Sequence, residues 1–143
     1  MSVEPRLSYV IGRLDRVLGR RLGAAIAPAG LTLPAYTALS VLRGQGGLSN
    51  AQLARRSLIT PQSMSEVLAR LVEQGYVRRH ASPGGGRAIR IELTTAGGRA
   101  LERCDRAVDG IEREMLGDLD PGEAARLREA LIRCGRALEH PAA

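Results

Sequence analysis

The chain has 143 residues, 44% of them apolar, with no Phe or Trp and only three Tyr, and its formal charge of +6 is carried by arginine without a single lysine. This length suits one domain with its own core, and the apolar content excludes a disordered chain. No run reaches the roughly 20 apolar residues of a membrane span, and the N-terminus lacks the charged-then-apolar pattern of a signal peptide, so a cytoplasmic protein is expected.

From Leu7 the apolar positions Leu7, Val10, Ile11, Leu14, Val17, Leu18, Leu22 and Ile26 predict a helix with one sticky stripe that ends near Pro28. A second helix is expected over Leu33 to Leu42, with Pro34 in its first turn. The segment from Leu48 to Thr94 then carries the densest signals. Ser49 or Asn50 can cap a helix that turns Leu53, Ala54 and Ser57 inward and closes at Leu58 and Ile59. Thr60-Pro61 starts another, in which Met64, Val67, Leu68, Leu71 and Val72 commit one face to a core and Gly75 marks the end. Tyr76 to Arg79 and Ile89 to Leu93 read as strands of a hairpin, joined by the flexible Ser82-Pro83-Gly84-Gly85-Gly86-Arg87. Beyond it, Ala100, Leu101, Cys104, Ala107, Val108, Ile111 and Met115 share a helical face. After an Asp120-Pro121 start, Leu127, Leu131, Cys134 and Leu138 repeat the pattern.

Two short amphipathic helices followed closely by a glycine-arginine hairpin outline a winged helix-turn-helix. The fold class expected is mainly α with a small β-hairpin wing, flanked by long terminal helices. The outer face of the Pro61 to Gln74 helix shows Gln62, Ser63, Ser65, Glu66, Ala69 and Arg70, groups small and polar enough to enter a major groove about 12 Å wide. Charge placement agrees. Residues 48–94 hold seven Arg against three Glu, residues 1–47 hold six Arg against two acids, and beyond Thr94 ten acids outnumber eight Arg. A positive field concentrated in the first two thirds favours an anionic polymer, double-stranded DNA, as partner. Arg79, Arg87 and Arg90 of the hairpin join the helix residues as the expected DNA-binding set, and Arg55, Arg56 and Arg78 are further basic neighbours. The terminal stripes are too long for a small winged helix to cover, which points to a second copy of the chain.

At these residues the chain resembles the MarR family of bacterial transcription regulators. The family's wing places an arginine, then Leu-Thr after five residues and a glycine soon after, and Arg87, Leu93, Thr94 and Gly97 stand at those places. Its recognition-helix pattern is met by Ser63, Ser65, Arg70, Leu71, Gly75, Tyr76 and Val77. Two positions depart from it. Gly85 replaces the acidic residue that braces the wing arginine, between Gly84 and Gly86, and Glu66 stands where a basic residue is frequent. The resemblance implies one MarR-like domain over 1–143, with 1–30 and 98–143 as dimerisation helices and 31–97 as the DNA-binding region. It further implies a homodimer on a pseudo-palindromic promoter site, a minor-groove role for Arg87, and repression relieved by a small aromatic or phenolic effector. Such an effector would sit between the dimer helices and the reading head, where Tyr9, Arg13 and Tyr36 are the candidate contacts, Arg13 for a carboxylate.

Other chemistry finds little support. Cys104 and Cys134 fall on apolar faces, where a thiol acts as a small hydrophobe. The two histidines, His80 and His140, have no cluster of further ligands, so no metal and no cofactor is expected. No nucleophile-base pair or phosphate-cradling loop appears, which excludes an enzyme. The alternatives are a winged helix that binds an acidic protein, or a redox-responsive regulator that uses Cys104 or Cys134.

Overall fold

A computed structural model describes residues 3–82 and 88–140. Helices α1 (Leu7–Ile26), α2 (Leu33–Gly44), α3 (Asn50–Arg56) and α4 (Pro61–Glu73) come first. Strands β1 (Val77–Ala81) and β2 (Ile89–Leu93) follow, then α5 (Thr95–Met115) and α6 (Pro121–Glu139). Contacts divide the chain into residues 1–108, which hold the helix-turn-helix and the hairpin, and residues 109–143, which hold the end of α5 and all of α6.

The starts of most helices are written in local side chains. Thr32 accepts from Ala35 N at 3.3 Å to open α2. Ser49 and Gln52 form a reciprocal capping box at α3, with bonds of 3.2 and 2.9 Å. Thr60 Oγ1 accepts from Ser63 N at 3.1 Å, with Pro61 in the first turn of α4 where its missing N–H costs nothing. Asp120 and Glu123 repeat the capping box at α6. Such caps each stabilise by about 1 kcal/mol. The turn between α3 and α4 is less ordinary. Leu58 takes a left-handed φ of 58° and is 79% exposed, a conformation that costs a branched residue roughly 1–2 kcal/mol. It lets Ile59 N reach back to Ala54 O at 3.1 Å, ending α3 and aiming the chain into α4.

One apolar cluster holds residues 1–108 together. Ile26 from α1, Ala38 and Leu39 from α2, Leu53 from α3, and Met64, Leu68 and Leu71 from α4 are fully or almost fully buried in it, with Ile91 of β2 and Leu101 and Cys104 of α5. Val72, expected on the core face of α4, is instead 38% exposed, because eight residues after Met64 the helix has drifted most of a quarter turn off that face. The hairpin is antiparallel, from Val77 opposite Leu93 to Ala81 opposite Ile89. The first strand runs two residues further than expected and leaves out Tyr76. Leu48 adds a bridge to Ile91, with Ile91 N to Leu48 O at 2.9 Å and Gly47 N to Ile91 O at 3.0 Å, so the loop before α3 is stitched to the wing.

The join between β2 and α5 is equally tight. Thr94 Oγ1 donates to Gly75 O at 2.6 Å and accepts from Gly97 N at 3.0 Å, while Thr94 N donates to Tyr76 O at 3.1 Å. One threonine thus ties the end of the α4 region, the end of β2 and the first turn of α5. In α1 only Ile26 is fully buried, and Leu7, Val10, Ile11, Leu14 and Val17 stay at least 41% exposed. Helix α6 buries none of its side chains, and Leu127, Leu131, Ile132 and Leu138 are exposed on it. Cys134, expected on an apolar face, is exposed as well.

Candidate nucleic-acid interface

Burial of Met64, Leu68 and Leu71 turns the rest of α4 outward, and Gln62, Ser63, Ser65, Glu66, Ala69 and Arg70 are all exposed. Their hydrogen bonding differs. Ser63 Oγ accepts from Thr60 Oγ1 at 3.0 Å, inside the cap. Ser65 Oγ donates to Pro61 O at 3.0 Å and accepts from Asn50 Nδ2 at 3.2 Å. Asn50 also donates to Pro61 O at 3.1 Å, so its amide locks α3 against the start of α4. In the sequence Asn50 stands as a helix cap; its bridging role depends on a residue 15 positions away. Its Oδ1 is buried and has no partner among the described residues. The side chains of Gln62, Glu66 and Arg70 make no hydrogen bond or ion pair among the described residues, so their polar ends are available to a partner.

The hairpin arginines divide similarly. Arg79 on β1 is exposed and borders a groove with Ser49, Asn50, Ser65, Leu68, Ile89 and Ile91, which brings it beside the outward polar face of α4. Arg90 is half-buried, and its Nη1 donates to Gly47 O at 3.1 Å, so part of its function is to fasten the wing to the loop before α3. Arg56 is likewise engaged, with Gln45 Oε1. Across the strands His80 Nε2 lies 3.5 Å from Glu92 Oε1. Arg87, Gly84, Gly85 and Gly86 lie outside the described residues.

Tyr9, Arg13 and Tyr36 differ in their surroundings. Tyr9 and Arg13 line an exposed side of α1 with Arg16, Val17 and Arg20, and Tyr36 has no part in that lining. Tyr36 is half-buried on α2, and its Oη donates to Asp105 Oδ1 of α5 at 2.5 Å. Arg43, two turns along α2, donates to the other Asp105 oxygen. Burial and the hydrogen bond to Asp105 push the Tyr36 phenol well above its ordinary value. Burial alone would raise the Asp105 carboxyl, but the bonds from Arg43 and Tyr36 together outweigh it and hold the group below the usual carboxylate range. The network clamps α2 to α5 and consumes the donor that Tyr36 would offer a ligand.

A cleft of about 360 Å³ opens instead between the start of α2 and α4. Pro34, Ala35, Ile59 and Val67 supply apolar wall, and Thr32, Ser63, Glu66 and Arg70 supply polar groups. Cys104 is buried, and desolvation pushes its thiol up, which disfavours the reactive thiolate. Among the described residues no group of three His, Cys, Asp or Glu is placed to hold a metal ion, and no single helix is long and apolar enough to cross a membrane.

The capped α3, the fixed turn, the outward polar face of α4 and the hairpin behind it define a winged helix-turn-helix protein. A model of the MarR family matches residues 29–88. The HTH-type transcriptional repressor Rv2887 of Mycobacterium tuberculosis is 35% identical over 135 residues, 94% of this chain and 97% of that protein. The structure of Rv2887 in complex with DNA matches with a TM-score of 0.76 at 32% identity, over 92% of this chain and 99% of that one. Its complex with salicylic acid matches with a TM-score of 0.74 at 33% identity, over 94% and 99%. The chain belongs to the MarR family.

Proposed function

We propose that this chain is a cytoplasmic, homodimeric transcriptional repressor that holds promoter DNA with α4 in the major groove and the arginine hairpin alongside, and that it is not an enzyme. The observation that carries the reading is the outer face of α4. Gln62, Glu66 and Arg70 stand there exposed and without partners among the described residues, with Arg79 of the wing close by. Rv2887 is a repressor with structures in complex with DNA and with salicylic acid, and this chain matches it along nearly its whole length.

Two copies are needed to cover what one leaves exposed. The apolar side of α1 and that of α6 are each the kind of surface that chains bury against a partner. Two-fold symmetry then sets the DNA site as two inverted half-sites about one helical turn, roughly 10 bp, apart. Contacts proposed for Gln62, Ser63, Ser65, Glu66, Arg70 and Arg79 fall on α4 and β1, with Arg90 supporting the wing and Arg87 entering the minor groove. For the effector, the α2–α4 cleft fits an aromatic carboxylate better than Tyr9, Arg13 and Tyr36 do, since the Tyr36 hydroxyl is already engaged by Asp105. Apolar wall and the Arg70 guanidinium line the cleft, which suits an aromatic ring bearing a carboxylate, against the opposing charge of Glu66 in the same lining. An occupant at that place competes with DNA for Arg70 and so couples effector to release.

A gel shift with the intergenic DNA upstream of the protein's own gene tests the function. Retardation that weakens steeply with salt is expected, and salicylate should reduce it. Absence of retardation at low salt would refute the regulator and favour a winged helix that binds an acidic protein.

A further inference from the structure

We propose that Glu66 selects a cytosine in the recognition sequence by accepting a hydrogen bond from its N4 amino group in the major groove. The inference rests on the DNA-reading function above and adds to it the identity of one base. At 3.6 residues per turn, the buried Met64, Leu68 and Leu71 fix the inward side of α4, and the opposite line runs through Gln62, Glu66 and Ala69. Arg70 lies on a flank. Glu66 therefore lies on the outward line of α4, within the first two turns, the part of a recognition helix that reaches base edges. Its carboxylate is exposed and has no ion-pair partner among the described residues.

Electrostatics make that placement selective. The surrounding segment, residues 48–94, carries four more arginines than acids and draws a polyanion in, yet its leading edge bears a negative charge. Phosphates repel that charge, as do the N7 and O6 acceptors of guanine and the O4 of thymine. Only cytosine N4 and adenine N6 offer donors in the major groove. Adenine sets its N7 acceptor beside the amino group, which suits an amide such as Gln62 and repels a carboxylate, whereas cytosine offers a donor alone. The small methyl of Ala69, next along the same line, leaves the carboxylate room to reach the groove floor. In any other sequence Glu66 loses water and gains no partner, so it acts by penalising wrong bases as much as by holding the right one.

Selection from a randomised double-stranded DNA pool tests this, run in parallel for the full-length wild type, Glu66→Gln and Glu66→Ala at one ionic strength. Because Glu66 is exposed, both variants should retain the wild-type circular dichroism spectrum. The wild type is expected to enrich a C·G pair at one position of each half-site, with roughly tenfold discrimination against other pairs there. Glu66→Gln should move that position toward A·T, and Glu66→Ala should lose the preference while the rest of the motif persists. Both should bind non-cognate duplex more tightly than the wild type. The same motif from all three proteins would overturn the inference and leave the DNA-reading function standing, as would a change confined to positions where the wild type selects no cytosine. No enrichment by the wild type would overturn the DNA-reading function itself.

Discussion

Adjacent glycines at the start of α5 should respond to the same substitution with opposite signs. A Cβ at Gly97 would lie well under 3.0 Å from the Tyr76 carbonyl oxygen and 2.9 Å from Leu93 Cδ1, and the carbonyl cannot step aside because it accepts the hydrogen bond from Thr94 N. A Cβ at Gly98 would meet only Leu93 Cδ2, at 4.0 Å, an ordinary contact. Alanine is favoured over glycine inside a helix by about 1 kcal/mol, and that gain applies at both positions. Forcing a methyl against fixed backbone costs about 3 kcal/mol, the upper end for overpacking. Gly97→Ala should therefore lose about 2 kcal/mol net, and Gly98→Ala should gain about 1 kcal/mol. At roughly 2–4 °C per kcal/mol for a chain near this size, the Tm should fall by roughly 4–8 °C in the first and rise by roughly 2–4 °C in the second. Thermal unfolding followed by circular dichroism at one fixed protomer concentration measures both, since dimerisation makes Tm concentration-dependent. Two shifts of the same sign would refute the close approach of α5 to Tyr76. If the approach is as described, Gly97→Ala should also weaken DNA binding, because the displaced Thr94 ties both β2 and the end of the α4 region.

Four further outcomes follow from the site and its surroundings. Leu14→Glu places a charge in the exposed stripe of α1 and should convert dimer to monomer at micromolar concentration in analytical ultracentrifugation, with DNA affinity falling about 100-fold as joint half-site binding is lost; an intact dimer would remove α1 from the interface. Arg79→Ala should lower the slope of log affinity against log salt by about 0.9 per protomer if the guanidinium neutralises one phosphate, and an unchanged slope would show that it makes no phosphate contact. For Asp105, a carboxyl depressed in the folded state by Arg43 and Tyr36 contributes stability that is present above about pH 4 and is lost as pH falls through its lower folded value. Asp105→Asn should flatten urea-measured stability between pH 5 and pH 2, and curves parallel to the wild type would rule the clamp out. Tyr36, shifted the other way, keeps its contribution below about pH 10 and loses it at higher pH, so Tyr36→Phe should flatten the alkaline limb and, by removing one of the two bonds that depress Asp105, also reduce the acid limb.

Much of the reading head was legible in the chain because its signals are local. The caps at Thr32, Ser49, Thr60 and Asp120 each act on an amide three residues ahead, so a short stretch of sequence contains both partners. The exposed face of α4 follows from one helical period, and the two wing strands from short runs on either side of a glycine-rich loop. The drift of Val72 shows where this reasoning weakens: over two turns the mismatch between eight residues and the helical repeat moves a side chain off the core.

By itself, the sequence determined the order of elements, the family, and the helix proposed to face DNA, since periodicity, caps and the hairpin motif need only nearby residues. Tertiary structure decided how those pieces are fastened. Leu48 pairs with Ile91, Asn50 grips Ser65, Arg90 holds Gly47, and Tyr36 and Arg43 meet on Asp105, across separations of 15 to 69 residues. Such partners are chosen by the packed core that brings distant elements within a few ångströms, and no local pattern encodes that choice. The same packing ties up Arg90 and Tyr36 and leaves Glu66 and Arg70 without partners among the described residues. A list of polar residues becomes a reading face only once the fold has claimed the others.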